Sequence, residues 1–439
     1  MLISGWGRYP VVDARIERPS TYAQASLLLD REEAVARIAR GMGRSYGDSA
    51  LAGNIVEMRR LDHFLHFDES TGALRCSAGV TLADILSVFV PRGWTLPVVP
   101  GTRFVSVGGA IASDVHGKNH HRSGCFSEYV DELVLLTGDG MTRACSRSSH
   151  ADLFQATCGG LGLTGIVLEA CIRLVRINST LIEQTTYKAA GLDEALDLFD
   201  THHAATYSVA WIDCLATGKA MGRSLVMTGE PSAKAMPAGR AGSQPAAPLG
   251  VPMDMPSALL NRYSIQAFNT LYYQRVREAE TRQQVPYEKF FFPLDGIHGW
   301  NRLYGRNGFV QYQFVLPKAA GKQAMKAILQ RITASRRGSF LAVLKALGPH
   351  NGNPLSFPLE GHTLALDFKM EAGVLALLDE LDAMVNDHGG RVYLAKDARM
   401  SAAAFRSQYS RWEGFQAIRE HYGAIGRFAS LQSKRLGLD

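Results

Sequence analysis

The sequence predicts an α+β fold, in which strands come in runs and helices come in runs. Alternation of apolar and polar residues marks strands at Gly165–Val175 (GIVLEACIRLV) and, more strongly, Gly308–Leu316 (GFVQYQFVL). Helical spacing of apolar residues marks Leu82–Val90, Ala319–Thr333 and Val374–His388. Length is the third observation: 439 residues exceed what one hydrophobic core supports, so two domains, free to interleave, are expected. A hydrophobic share of 46% and a charged share of 20% exclude a disordered or fibrous chain.

Taken in order, the elements follow from local chemistry. Met1–Pro10 carries Arg8 and has no apolar run, so no signal peptide is expected. Glu32–Arg40 reads as helical and leads into a Gly-rich loop. From Ile55 to Leu174 short strands and turns dominate, with Leu133–Leu136 a strand entering the tight turn Thr-Gly-Asp-Gly, and Ala151–Ala156 a short helix. Tyr207–Asp213 is a strand. Pro231, Pro237, Pro245, Pro248, Pro252 and Pro256 then fall close together among Ala, Gly and Ser, which predicts a flexible loop over 229–258. A helix follows at Leu259–Val276, then strands near Phe340–Leu347, Thr363–Phe368 and Arg391–Ala395. The longest uncharged stretch, Leu153–Leu168, is too short and Gly-rich to span a membrane. The chain is therefore expected to be cytoplasmic or peripheral at the membrane.

Net charge is +6, with Lys and Arg dispersed rather than gathered in a basic arm, so nucleic acid is not expected as a partner. A mild basic balance suits an anionic substrate or membrane surface. The cysteines Cys76, Cys125, Cys145, Cys158, Cys171 and Cys214 form no C-x-x-C pair and read as reduced, packed thiols. His116, His120 and His121 invite a metal reading, but Gly117 argues against a helix that would align them; no metal site is expected.

Three Gly-rich loops carry the chemistry: Ala39–Ala50 (ARGMGRSYGDSA), Pro100–His121 (PGTRFVSVGGAIASDVHGKNHH) and Cys158–Ile166 (CGGLGLTGI). Each alone is either a turn or a row of exposed backbone N–H groups suited to a pyrophosphate. The glycine spacing is not the G-x-G-x-x-G dinucleotide fingerprint. One large phosphate-bearing cofactor would explain all three.

These loops, with LDGIHGWNRLYG, GFVQYQFVLP, LSFPLEGHTLALDF and VYLAKDAR, resemble the decaprenylphosphoryl-β-D-ribose 2-oxidase family, of the vanillyl-alcohol-oxidase type. The resemblance runs in order along nearly the whole chain and lapses across the Pro-rich stretch. It implies a vanillyl-alcohol-oxidase/PCMH-type FAD-binding domain in two parts, 1–180 and 391–439, around an inserted antiparallel-sheet substrate domain at 181–390. It further implies that FAD lies along Arg40, Gly41, Met42, Gly43, Arg44, Ser45, Tyr46, Gly47, Asp48, Ser49 and Ala50, and along Gly101, Ser106, Val107, Gly108, Gly109, Ser113, Asp114, Val115, His116, Val167 and Tyr393. Arg44 stands where covalent relatives carry a flavin-linking His, so noncovalent FAD is expected.

For the reaction, the resemblance implies oxidation of the 2-hydroxyl of a polyprenyl-phospho-ribose. Lys396, Tyr46 and Gln313 would be catalytic; Lys118, Gln311, Gln313, Lys345, Thr363, Ala365 and Lys396 would meet substrate. Tyr46 would assist proton removal. Gln311 and Gln313 alternate on one strand and so face one side. Thr363 and Ala365 replace an Asn and a Cys of the mycobacterial members; lacking that thiol, nitroaromatic inhibitors that attack it should bind only reversibly. Phe291 replaces a Tyr on the lipid side. A short-chain reductase partner, a quinone acceptor and peripheral membrane contact are implied as well. Oxidation of free sugars, alditols or aldonolactones on the same fold is the alternative, and a noncatalytic scaffold a third.

Overall fold

A computed structural model describes residues 1–29, 35–234, 249–256 and 258–439. Three sheets organise the chain, and labels below cover their strands. The first is parallel: β1 (Arg15–Glu17), β2 (Ile38–Arg40) and β3 (Asn54–Glu57) lie in the order β1-β3-β2. This corrects the helix expected over Glu32–Arg40. Ile38 is fully buried and pairs with Ile55, so sheet pairing and burial override the local helical spacing. The earlier part of that expectation, 32–34, lies outside the described residues. The first Gly-rich loop thus leaves the end of a strand.

The second sheet is antiparallel, with β4 (Phe64–Asp68), β5 (Ala73–Ser77), β6 (Val130–Thr137), β7 (Thr142–Ser146) and β8 (Gly165–Arg173) in the order β7-β6-β8-β5-β4. Helix α1 (Leu82–Phe89) packs on it through Ile85, Leu86 and Phe89; Thr81 and Asp84 close a capping box at its start. The sheet supports two of the Gly-rich loops, one running into the short helix α2 (Val107–Ala112) and one feeding β8.

The third sheet is the largest: β9 (Leu181–Ala189), β10 (Tyr207–Ile212), β11 (Ser224–Pro231), β12 (Glu280–Pro286), β13 (Phe309–Pro317), β14 (Ala342–Leu347), β15 (Gly361–Lys369) and β16 (Arg391–Val392). Their order is β12-β9-β11-β10-β14-β15-β13-β16, antiparallel throughout. One face packs Tyr312, Phe314, Leu344, Leu364 and Leu366 against α3 (Leu192–Thr201) and two later helices, Gly321–Ala334 and Val374–Asp387. Each fully buried Leu or Phe there stabilises by roughly 1.5–3 kcal/mol. The period of two then turns Gln311, Gln313, Val343, Lys345, Thr363, Ala365 and Asp367 to the opposite face.

Two boundaries differ from expectation. The strand expected over Arg391–Ala395 ends at Val392, because the chain turns at once: the N–H groups of Lys396 and Asp397 both reach the Tyr393 carbonyl, at 2.9 and 3.1 Å. Of the Pro-rich stretch 229–258, residues 229–231 complete β11 and Leu249–Gly250 pairs in parallel with Ile297–His298; 235–248 and 257 lie outside the described residues. Among the described residues no helix is long and apolar enough to cross a membrane. The six cysteines are free.

Candidate active site

The open face of the third sheet and the three Gly-rich loops enclose a cavity with about 1830 Å³ of empty space, its mouth included. Its long arm is made of loops. Gly41, Met42, Gly43, Arg44, Ser45, Tyr46, Ser49 and Ala50 line it, with Arg40 at the strand end. Among the described residues, the backbone N–H groups of Gly41 through Ser45 meet no acceptor. A row of such donors is a cradle for a diphosphate. The cradle leaves no room for a side chain at Gly41, where a Cβ would lie 2.1 Å from Ser106 Oγ. Gly101, Ser106, Gly108, Gly109, Ser113, Val115, His116, Val167 and Tyr393 line the same cavity.

The short arm ends on the sheet. Gln313 and Val343 flank Ala365 in register, while Gln311 sits opposite Asp367 and Lys345 opposite Thr363. Gln311, Gln313, Lys345, Ala365 and Lys396 all face the cavity. Lys396 projects from the turn after β16, which is bonded to the first loop: Tyr46 N–H donates to the Ala395 carbonyl at 3.3 Å. Lys396 Nζ stands 3.8 Å from the centre of the Tyr46 ring. Tyr46 is wedged edge-on against Phe309, with centroids 5.5 Å apart.

Electrostatics follow from burial. Removal from water pulls the Lys396 ammonium down to about 7; the Asp367 carboxylate opposes that fall and Lys345 adds to it. Burial alone brings Lys345 down to about 8. Burial, with nearby Asp367, drives the Tyr46 phenol well above its ordinary value. Tyr46 therefore stays protonated at neutral pH and is a hydrogen-bond donor. His116 is held neutral by burial and by the charges of Lys345 and Lys396. Gln313 Nε2 lies 3.1 Å from His116 Nε2 and 3.3 Å from Thr363 Oγ1. With that amide donating, His116 Nδ1 carries the ring proton, and among the described residues it meets no acceptor.

Six expected contacts are corrected. Lys118 turns away from the cavity: its ammonium donates to the Phe290 carbonyl and sits 4.4 Å from that ring's centre. Thr363 is fully buried behind Gln313 and acts by anchoring it. Val107 packs in the core of the second sheet. Asp114 spends its carboxylate on Asn351, Asn353, Ser356 and Ser127, pinning the loop after β14. Gly47 and Asp48 face the other way, toward the Lys396 turn. A Cβ on Gly47 would fall 1.7 Å from the Asp397 carbonyl oxygen, and Asp48 pairs with Arg435 at 2.8 Å.

Sequence reasoning missed Trp6, Asp295, Trp300 and Asp367. Arg44 lies over Trp6, its guanidinium carbon 4.1 Å from the ring centre, and no pattern in the first ten residues announces that contact. Asp295 is a carboxylate on the cavity wall and accepts from Arg103 N–H at 2.9 Å. Asp367 was findable, since HTLALDF places it on the same strand face as Thr363 and Ala365. His116, His120 and His121 do not converge: His120 Nδ1 accepts from Gly348 N–H, and His121 Nε2 bonds the Ala205 carbonyl. None of the six cysteines lines the cavity, and Ala365 offers no thiol.

Comparison with known proteins bears on this geometry. A family model described as an FAD binding domain matches residues 17–146. Decaprenylphosphoryl-beta-D-ribose oxidase of Mycolicibacterium smegmatis is 36% identical over 99% of this chain and 97% of its own length. An uncharacterized protein of Streptomyces coelicolor is 33% identical over 82% of this chain and 100% of its own. L-gulonolactone oxidase of Bos taurus is 31% identical over 37% of this chain and 36% of its own.

Proposed function

This chain belongs to the decaprenylphosphoryl-β-D-ribose oxidase family of FAD flavoproteins, and from that membership we propose that it oxidises the 2-hydroxyl of a polyprenyl-phospho-β-D-ribose to the 2-keto sugar. This is the first half of an epimerisation toward an arabinose donor for cell-envelope or surface glycan. The observation that carries the reading is Lys396, a lysine near neutrality on the cavity wall beside Tyr46, Gln311 and Gln313.

The cavity fits the cofactor. The unpartnered N–H row at Gly41–Ser45 would hold the diphosphate, and Arg44, in place of a flavin-linking His, leaves FAD noncovalent. Bound FAD supplies a hydride acceptor. Oxidation removes a hydride from C2 and a proton from its oxygen, leaving the electrons of the O–H bond in the new C=O. The neutral amine of Lys396 takes that proton. Gln311 and Gln313 orient the sugar hydroxyls, His116 Nδ1–H meets an acceptor on the bound ligands, and Lys345, with no carboxylate pair among the described residues, meets the phosphate. In this reading 1–180 and 391–439 hold FAD and 181–390 shapes the substrate arm.

The test is anaerobic reduction of the bound flavin. Polyprenyl-phospho-ribose should bleach the 450-nm region, and acid precipitation should carry the yellow chromophore into the supernatant. Bleaching by free pentoses or aldonolactones but not by the lipid-linked sugar would select the oxidase of free sugars, the reading that the L-gulonolactone oxidase likeness favours.

The product requires a reductase that delivers hydride to the opposite face, for which a short-chain reductase is proposed. A quinone is proposed as the electron acceptor; faster turnover with a soluble quinone than with oxygen alone tests it. Peripheral membrane contact is also proposed. It is supported by α4 (Arg262–Gln274), which leaves Tyr263 75% and Leu271 69% exposed and presents Phe268 on the same side, with Arg262, Arg275 and Arg277 around them and no acidic residue within the helix. Tyr263→Ser with Leu271→Ser should abolish sedimentation with phosphatidylglycerol vesicles; unchanged sedimentation would remove this helix as the contact.

A further inference from the structure

The mechanism above leaves one buried carboxylate unused. Asp367 is fully buried in β15, directly behind the wall formed by Gln311 and Lys396. Its Oδ1 accepts from Gln311 Nε2 at 2.6 Å, its Oδ2 from the Tyr304 hydroxyl at 3.4 Å, and its backbone N–H donates to Ser339 Oγ at 3.1 Å. All three partners are uncharged. A buried carboxylate without a hydrogen-bonded cation is costly to keep ionised, and burial accordingly pushes Asp367 up to about 7. The cation that favours its charge is Lys396 across the wall.

We propose that Asp367 is a positioning residue for the proton-transfer step: its charge, held in place by Gln311 and Tyr304, sets the protonation of Lys396 and keeps the Gln311 amide aimed at the sugar. This inference rests on the reading that Lys396 takes the hydroxyl proton. Asp367 touches neither substrate nor cofactor and acts through its neighbours. Gln311 is the mechanical link, since it lines the cavity while its amide donates to Asp367 Oδ1. The charge link is direct. Lys396 feels Asp367 from β15, Lys345 from β14 and the dipolar Tyr46 ring from the first loop, while neutral His116 lies on the second. Farther out, Arg44 and Asp295 act on Tyr46 with opposite sign. Of these, Asp367 alone is an anion favouring the Lys396 ammonium, so its loss cannot be masked by a like-charged neighbour.

The signs make a discriminating experiment. Flavin reduction should rise with pH as Lys396 loses its proton. Asp367→Asn keeps an acceptor for Gln311 but removes the charge, so the ammonium is less favoured and the rising limb moves to lower pH. A displacement of about one unit or more is expected for an opposite charge at close range. Tyr304→Phe removes one donor from the carboxylate, makes its ionisation harder, and should move the limb in the same direction by less. Stopped-flow anaerobic reduction of the FAD-replete proteins by polyprenyl-phospho-ribose reads both, between about pH 5.5 and pH 9, where such a lysine titrates. A merely structural role lowers FAD content, or the plateau rate, at an unmoved limb. A limb in the wild type that neither variant moves overturns this proposal alone. A wild type with no rising limb removes the Lys396 reading and this proposal with it.

Discussion

Replacing Lys396 with methionine is expected to leave a folded, yellow protein whose flavin is reduced by the lipid-linked ribose about 10²–10⁴-fold more slowly, the range typical of a lost general base. Methionine keeps the length of the stem and its packing while removing the amine. Flavin content should be close to wild type, because the diphosphate cradle at Gly41–Ser45 is a separate stretch of backbone. The pH dependence carries the sign. Burial brings the Lys396 ammonium down to about 7, so the neutral, proton-accepting amine grows as pH rises through that value. Wild-type reduction should climb and level off, whereas the variant should be flat. A Lys396→Met protein reduced as fast as wild type would end the assignment of the proton to this residue.

Asp397→Ala is expected to lower the stability of the fold by about 3–5 kcal/mol, the cost typical of removing one partner from a buried ion pair. Asp397 lies in the core beneath the Lys396 turn. One carboxylate oxygen accepts from the backbone N–H groups of Arg399 and Met400 at 2.9 and 2.8 Å; the other accepts from Arg435 at 2.9 Å and Gln432 at 3.3 Å. Arg435 also holds Asp48, so one cation ties the first loop, the Lys396 turn and the C-terminal helix Leu431–Leu436. Burial pushes Asp397 up, but Arg435, Arg399 and the two N–H groups outweigh it and the carboxylate ends below its ordinary value. Its stabilisation is therefore present above the unfolded carboxylate range and disappears as pH falls through the lowered folded value. Urea unfolding followed by flavin release measures both effects at once. A loss below about 1 kcal/mol, the scale of an exposed pair, would mean that the segment is held by something else.

How far this site was readable depended on the kind of feature. The Gly-rich loops announced a cradle, because backbone that lies against a ligand or another chain segment leaves no room for a Cβ, and glycine is written directly in the sequence. Gln311 and Gln313 were placed on one face by the period of two, and the structure puts both on the cavity wall. The same rule applied to HTLALDF would have found Asp367. Lys118 shows where resemblance outran geometry: it lies two residues from His116, yet its ammonium reaches the Phe290 carbonyl instead of the cavity. Glu32–Arg40 shows the opposite failure, a local helical spacing overruled at Ile38 by a neighbouring strand. Gly47 and Asp48 belong to the cradle's sequence but not to its inner surface, since Gly47 is packed against the Asp397 carbonyl and Asp48 is paired with Arg435.

What the sequence determined by itself was the class of fold, the run of strand Phe309–Pro317 and its neighbours, and a large phosphate-bearing cofactor, which reside in periodicity and glycine positions; the resemblance carried by its motifs implied FAD and the chemistry to look for. Tertiary structure alone decided which charges meet. The reactive values of Lys396, Lys345 and Asp367 come from desolvation inside a cavity whose walls are contributed by residues hundreds of positions apart. A sequence records that a lysine is present; how much water it keeps, and which carboxylate faces it, are properties of the packed chain.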